Sequence, residues 1–397
     1  WDLISFMKIL SIETSADETA VSVVEVKGDF PEATYTLLGN AIRSQVETHN
    51  LYGGIFPMVA KREHAAALPP LLKIALEEAQ MLEESSEELS KENTETVHTL
   101  LHREEGAAEK LLEILEKYSA PDIDIIAVTA GPGLEPALWV GINFAKALAD
   151  VWQVPVVPVN HMEGHVLAAI YDNGKDEALE EVQFPAIALL VSGGHTELVL
   201  MKDWGQYEKI GETRDDAVGE AFDKVARLLG LPYPGGPEIG RLAAKARLKN
   251  LPSYKKDLPR PMLNSDDLDF SFSGLKTAVR YAVAEEDLSK EDTMAVARDF
   301  EDAVVEVLVK KTAKAVEKHG AKTVVVGGGV SANRYLRQEM QKYFLEYDNE
   351  IDVHFPTPGL STDNSIMIAL AGHAKLDSAL SHTAATELIK ADGNKSL

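Results

Sequence analysis

Apolar positions along this chain fall into short runs that alternate with longer, periodic segments. KILSIETSADETAVSVVEV (Lys8–Val26) reads as strand, polar turn, strand, because β-branched and apolar residues flank a Ser/Thr/Asp/Glu cluster. The same design returns in FPAIALLVSGGHTELVLMKD (Phe184–Asp203): an apolar strand, a small-residue turn with a Thr, then a second strand. IDIIAVTAGPGLEPALWVGINFAKALADVW (Ile123–Trp152) is a buried strand, a Gly-Pro-Gly turn and a helix with apolar residues at helical spacing. AKTVVVGGGVSANRYLRQEM (Ala321–Met340) repeats that grammar, with Ser331 and Asn333 opening the helix. Paired hairpins, each followed by mixed strand and helix patterns, predict a duplicated α/β architecture.

The predicted division is an N-terminal lobe over 7–157, a C-terminal lobe over 158–376 and a helical tail over 377–397. Trp1 to Phe6, ahead of Met7, reads as an added leader. Gln80 to Gly106 reads as an insertion, rich in Glu and Ser with little apolar periodicity, and predicts a surface helical excursion or a mobile loop.

At 397 residues the chain is long enough for two cores. No apolar run reaches the ~18–20 residues of a membrane helix. The chain has no basic region followed by a small-residue cleavage site, so the expected location is the cytoplasm and no membrane partner is expected. With 0 cysteines, a metal has to be held by His, Asp or Glu. The net charge of -25 argues against broad nucleic-acid binding. That charge is uneven. Arg241–Arg260 carries seven basic residues against Asp257. Lys310, Lys311, Lys314, Lys318 and Lys322 form a second cluster, which reads better as a solvated helix face. In the first strip Lys255, Lys256 and Arg260 are candidates for contact with an anionic partner.

The chemistry centres on VPVNHMEGHVLAA (Val157–Ala169). With Asn160 as N-cap, His161 and His165 lie about 40° apart on one helix face and could share an ion. Glu163 would reach back to the Asn160 amide as a capping box. It sits about 200° around from His161, so a metalloprotease reading lacks its general base. A pair of hydrogen-bonded helix histidines is the plain alternative. A third ligand is required, and Asp363 in PTPGLSTDNSIMIALAG (Pro356–Gly372) is a candidate, although it also reads as a helix cap. The strand–glycine–helix turns are natural anion sites and favour a phosphate-bearing ligand.

Together these motifs resemble the TsaD (YgjD/Gcp) family. The resemblance runs from Met7 to about Gly372 through ETSADET, HNLYGGIFP, TAGPGLEPALWVG, HMEGH, LVSGGHTEL, GEAFDKVARLLGLPYPGGPEI, FSFSGLKTAV, GGGVSANRYLR and STDN. It implies the actin/Hsp70/sugar-kinase (ASKHA) fold, two-lobed, with the active site in the cleft. The implied reaction transfers a threonylcarbamoyl group from threonylcarbamoyl-AMP to N6 of adenosine 37 in tRNAs reading codons that begin with A. Position by position, His161, His165 and Asp363 match the family's metal ligands, for Fe2+ with Zn2+ as the alternative. Leu190, Val191, Ser192, Gly193, Gly194, Asp223, Gly236 and Asn333 match substrate-binding positions, with Gly240 a weaker match. A TsaB-like paralogue and a TsaE-like ATPase are the implied protein partners, and tRNA the implied RNA. Ala16 replaces the usual Cys of ETSCDET, and Met58 replaces a usual Glu.

Because the donor is a mixed anhydride carrying AMP as leaving group, no covalent protein nucleophile is demanded. The turns at Gly193–Gly194 and Gly327–Gly329 are expected to hold the adenylate, with Asp223 and Asn333 on its ribose or base. The competing classes are a small-molecule kinase or ATPase of the same fold, which would use Mg2+ through carboxylates, and a silent binding paralogue. An acidic chain with one basic strip is expected to need partner proteins to complete its RNA site.

Overall fold

Strands β1 (Phe6–Glu13) and β2 (Glu18–Lys27) pair antiparallel, with Met7 opposite Val26 and Glu13 opposite Ala20. The computed structural model describes residues 6–50, 52–86, 88–174, 177–254, 258–284, 287–348 and 350–397. β3 (Thr34–Ser44) continues the meander beside β2, while β4 (Ile125–Gly131) runs parallel to β1 and β5 (Val156–Asn160) parallel to β4. The short strands β6 (Tyr171–Asp172) and β7 (Ala178–Leu179) extend the edge beyond β3. All of β4 is buried, as its unbroken apolar run requires of a strand covered on both faces.

The second sheet repeats the plan. β8 (Ala186–Val191), β9 (Thr196–Asp203) and β10 (Gln206–Glu212) form an antiparallel meander. β11 (Thr323–Gly327) lies parallel to β8, and β12 (Asp352–His354) parallel to β11. The order β10-β9-β8-β11-β12 is therefore the order β3-β2-β1-β4-β5 of the first sheet. The duplication predicted from the two hairpins is present strand for strand.

The division into units differs from the predicted one. The first unit is Trp1–Glu180 with Asp363–Leu397, and the second is Glu181–Thr362. The reason lies in two helices placed on the wrong side of the boundary. His161–Ile170 is buried at every position, so it needs cover all round, and it packs on the Ser365–Ala374 helix. That helix in turn lies on β1, β2 and β4, where Gly372 allows close approach to Ala127. The tail helix His382–Leu388 packs on Glu135–Trp152, again in the first unit.

The Glu-rich stretch contains the helix Lys91–Leu100, capped by the Ser90 side chain accepting from Asn93 N at 3.0 Å. It is a surface excursion with an anchor. Val97 and Leu101 join the first unit's core, and Glu104 is buried beside Asn143 Nδ2 at 3.4 Å and Lys61 Nζ at 4.0 Å. The second unit's core is gathered around the Lys290–His319 helix. Its start is fixed by a reciprocal Ser289/Asp292 capping box and its end by left-handed Gly320. Among the described residues no helix is long and apolar enough to cross a membrane.

Candidate metal centre and glycine turns

The Asn160 side chain accepts from Met162 N at 2.9 Å and Glu163 N at 3.4 Å, so the helix begins at His161 as expected. This cap sets the phase that turns His161 and His165 to one side, with ring centroids 4.7 Å apart. The expected capping box is not what Glu163 makes: its carboxylate lies 3.3 Å from Lys375 Nζ. A buried glutamate committed to a lysine is not poised as a protease base.

Asp363 resolves the choice between cap and ligand. The cap of the Ser365–Ala374 helix is Asn364, whose side chain accepts from Met367 N at 3.0 Å. Asp363 is thereby left to turn inward. Its Oδ1 lies 3.4 Å from His161 Nε2 and 3.2 Å from His165 Nε2. One ligand atom from each of the three residues falls within 4.8 Å of the others.

A fourth residue completes the arrangement. Glu13, at the end of β1 and fully buried, places Oε2 3.1 Å from His161 Nδ1 and accepts from Thr129 Oγ1 at 2.6 Å. His161 is thus held at Nδ1 and directed at Asp363 through Nε2, the usual way a carboxylate orients a metal-binding imidazole. Burial pushes His161 down, but Asp363 and Glu13 outweigh it and draw its pKa up to about 10. Burial likewise opposes the charge on Asp363 and Glu13, and His161 overcomes it, holding both below the usual carboxylate range. For His165, burial wins and holds the ring below its ordinary value.

Two carboxylates facing two imidazoles in a dry site leave a net negative charge that invites a cation. His165 sharpens the point: Nδ1 and Nε2 are both buried without an aligned hydrogen-bond partner. Orphaned buried nitrogens are costly, and a metal bond at Nε2 would relieve that cost. Two histidines and one carboxylate are a donor set that suits Fe2+ or Zn2+. They do not suit Mg2+, which prefers oxygen donors.

The glycine turns of the second unit gather at one end of its sheet. Leu190 and Val191 are buried in β8 and contribute only backbone. Ser192, Gly193 and Gly194 form the turn that follows, shaped by Ser192 Oγ accepting from His195 N at 3.1 Å and Gly194 N at 3.3 Å. Close packing links the other positions to it in a chain. A side chain on Gly328, at φ +89°, would strike Val191 O, and one on Gly219 would strike Ser192 O. One helical turn beyond Gly219, Asp223 accepts from Gly235 N at 2.6 Å. One turn beyond Gly236, Gly240 lies against Glu301 and Asn333. Gly193, Gly194, Gly236 and Gly329 themselves face open space.

Two of these positions also serve the fold. Asn333 is committed to the fold, donating to Glu301 Oε1 at 2.7 Å and accepting from Leu336 N at 2.9 Å as a helix cap. The Gly131–Gly133 turn is not an open anion site, since Gly133 N donates to Gly393 O at 3.2 Å and Leu134 N to Ser15 O at 2.8 Å.

The basic strip is largely neutralised. Arg241 pairs with Glu238, Arg247 with Glu301 and Asp302, Lys249 with Glu291, and Arg260 with Glu306 at 2.8 Å. Lys255 and Lys256 lie outside the described residues. The lysine row is more than a solvated face: Lys311 is buried, donating to Ser265 Oγ and Asp267 O, and Lys314 donates to Ser265 O.

The family model described as TsaD, tRNA N6-adenosine threonylcarbamoyltransferase, matches residues 36–87 and 102–370. The chain belongs to the TsaD family. Proteins similar to it include the tRNA N6-adenosine threonylcarbamoyltransferase of Aromatoleum aromaticum, 42% identical over 366 residues, covering 92% of this chain and 90% of that protein. Those of Bacillus cereus and Staphylococcus carnosus are 41% and 42% identical at the same coverages. The fold is shared with full-length HypF at TM-score 0.51 and 13% identity, over 94% of this chain and 46% of that one. The chain therefore spans under half of HypF.

The break in the TsaD match, between 87 and 102, falls on the Lys91–Leu100 helix, which marks the Glu-rich stretch as an addition to the family pattern. Of the two departures noted from that pattern, Met58 is 67% exposed, and Ala16 contributes its carbonyl, which accepts from His64 Nε2 at 3.0 Å. Two residues escaped the sequence reading. Glu13 was hidden in a turn motif with no metal-ligand spacing, and Glu301 in a long amphipathic helix. In hindsight the only signal was a carboxylate in an otherwise apolar run, ILSIE for Glu13.

Proposed function

We propose that this chain transfers a threonylcarbamoyl group from threonylcarbamoyl-AMP to N6 of adenosine 37 in tRNAs reading codons that begin with A. The observation that carries this reading is the buried His161/His165/Asp363 cluster, oriented by Glu13, in a member of the TsaD family. In the reaction N6 attacks the carbamoyl carbon, the bond from that carbon to the phosphate oxygen breaks, AMP leaves with the electron pair, and the proton lost from N6 passes to solvent. Held by His161, His165 and Asp363, Fe2+ or Zn2+ would supply Lewis-acid polarisation of the donor's oxygens. The protein's own contribution is orientation and dryness. Glu13 fixes the His161 ring, burial of both imidazoles excludes water, and bare backbone at Gly193, Gly194, Gly236 and Gly329 leaves space for an adenylate. Asp223, tied to Gly235 N, positions the turn that opens the Gly235–Leu248 helix.

No covalent nucleophile is required. A kinase would gain nothing from two buried imidazoles, so that alternative recedes. The net charge of -25 and the internal pairing of Arg241, Arg247, Lys249 and Arg260 support a need for partners, a TsaB-like paralogue and a TsaE-like ATPase, to complete the tRNA site.

The test is to incubate the metal-loaded chain with synthetic threonylcarbamoyl-AMP and a tRNA transcript, with and without those partners, and to digest the RNA for nucleoside mass spectrometry. Threonylcarbamoyladenosine at position 37, lost in Asp363→Ala, is the expected result. Its absence under every combination would overturn the reading.

A further inference from the structure

The segment after the His382–Leu388 helix lies beyond the stretch that the family model matches, yet it is bound to the metal-bearing end of the first unit. Its base is anchored by the buried Lys146, whose Nζ donates to Ile389 O at 2.8 Å and Thr386 O at 3.1 Å. From there Asp392 N donates to Ala130 O at 2.9 Å, at the end of β4. Gly393 O accepts from Gly133 N, and Ser396 O accepts from Asn160 Nδ2 at 3.0 Å.

We propose that Lys390–Leu397 is a positioning strap for the metal centre, acting on its three ligands by two separate routes. The first route is the Asn160 amide. Its oxygen caps the His161–Ile170 helix while its nitrogen holds Ser396, so the tail fixes the rotamer that starts the helix carrying His161 and His165. The second runs through the Gly131–Gly133 turn, pressed between the tail and Ser15. A Cβ on Gly131 would lie 1.9 Å from Asp392 O, and one on Gly133 would lie 2.8 Å from Ser15 O. Ser15 donates from Oγ to Asp363 Oδ2 at 3.4 Å and sits two residues from Glu13. Neither route places a tail atom on the ligands, so the strap acts through Asn160, Gly133 and Ser15. Outer contacts of this kind typically change metal affinity by about 10–100-fold.

This inference rests on the metal reading, and the experiment separates the two. Apo-protein is titrated with Co2+, whose visible spectrum reports ligand geometry, for the full chain, a variant ending at Lys390, Asn160→Ser and His161→Ala. Ser at 160 still caps the helix but is too short to reach the tail. The expected result is a loss of about tenfold in Co2+ affinity and an altered spectrum in the shortened chain and in Asn160→Ser, with far-ultraviolet dichroism unchanged. His161→Ala is expected to bind no Co2+. Should the shortened chain unfold, Asn160→Ser alone carries the test. Full affinity with an unchanged spectrum in Asn160→Ser, or in a folded shortened chain, would overturn the strap while leaving the metal centre intact. No Co2+ binding by the full chain would overturn the metal reading, and the strap with it.

Discussion

Glu13 and Asp363 grip the His161 ring from opposite nitrogens, Glu13 at 3.1 Å from Nδ1 and Asp363 at 3.4 Å from Nε2. The ring therefore has a fixed tautomer with a metal bound: a proton on Nδ1, donated to Glu13, and a lone pair at Nε2. Glu13→Gln keeps the shape but weakens that donation, and a loss of metal affinity of about tenfold is expected. Competition of the apo-protein against a chromophoric chelator measures it.

His161→Ala and Asp363→Ala each remove one of three proposed ligands drawn from distant parts of the sequence. Near-stoichiometric iron or zinc in anaerobically purified, untagged protein is expected to vanish in both, as read by inductively coupled plasma mass spectrometry. Retention in either variant would count against the shared site.

Neighbouring residues Asp363 and Asn364 are expected to support the fold through different interactions. Asn364→Ala removes a helix cap and is expected to cost about 1 kcal/mol of stability in denaturant titration. Asp363→Asn breaks the pairing with His161 in the metal-free protein and is expected to cost more than the cap, about 3 kcal/mol, because His161 loses the carboxylate that does most to hold its charge.

Burial pushes His64 down to about 4, against weaker opposition from the Ala16 carbonyl. Its folded-state pKa lies below its unfolded value, so below pH 6.5 the unfolded chain takes up the proton first and stability falls with pH. The loss accumulates between about pH 6.5 and 4 and amounts to about 3 kcal/mol. Urea midpoints measured across that range should fall less steeply in His64→Gln, which no longer titrates.

Gly194→Ala and Gly328→Ala separate ligand space from fold space. Gly328 is left-handed and its Cβ would lie 2.4 Å from Val191 O, so a destabilisation of about 2 kcal/mol or more is expected. Gly194 has open space around it, so its variant is expected to keep its melting temperature and to lose affinity for a non-hydrolysable adenylate, measured calorimetrically.

Much of this was legible in the sequence where a local rule governs. The hairpins follow from period-two patterning, the helix start at His161 from Asn160, and the open turns from their glycines. What stayed hidden depends on contacts between distant segments. Nothing near Asp363 says that Asn364 takes the cap and frees it, and nothing near Glu13 says that β1 ends beside the His161 helix. The domain boundary was misplaced for the same reason. The predicted boundary at 157/158 falls inside β5, and the burial of His161–Ile170 on every side is what keeps that helix with the first unit. Charge was misleading as well, because the partners of Arg247, Lys249 and Arg260 are acids on the Lys290–His319 helix, while Arg241 pairs with Glu238 on its own helix.

The first unit's return at Asp363, after the whole of Glu181–Thr362, has a consequence for how the protein is made. Chains emerge from the ribosome at about 5–20 residues per second and fold from the N-terminus. By the time His161 and His165 are out, Glu13 is already present but Asp363 is still some two hundred codons away, on the order of tens of seconds at the slow end. A nascent chain at that stage holds both imidazoles and Glu13 but lacks Asp363 and the Ser365–Ala374 helix on which His161–Ile170 packs. The four clustered side chains first coexist at the end of synthesis, when the last stretch of chain comes back to the first sheet.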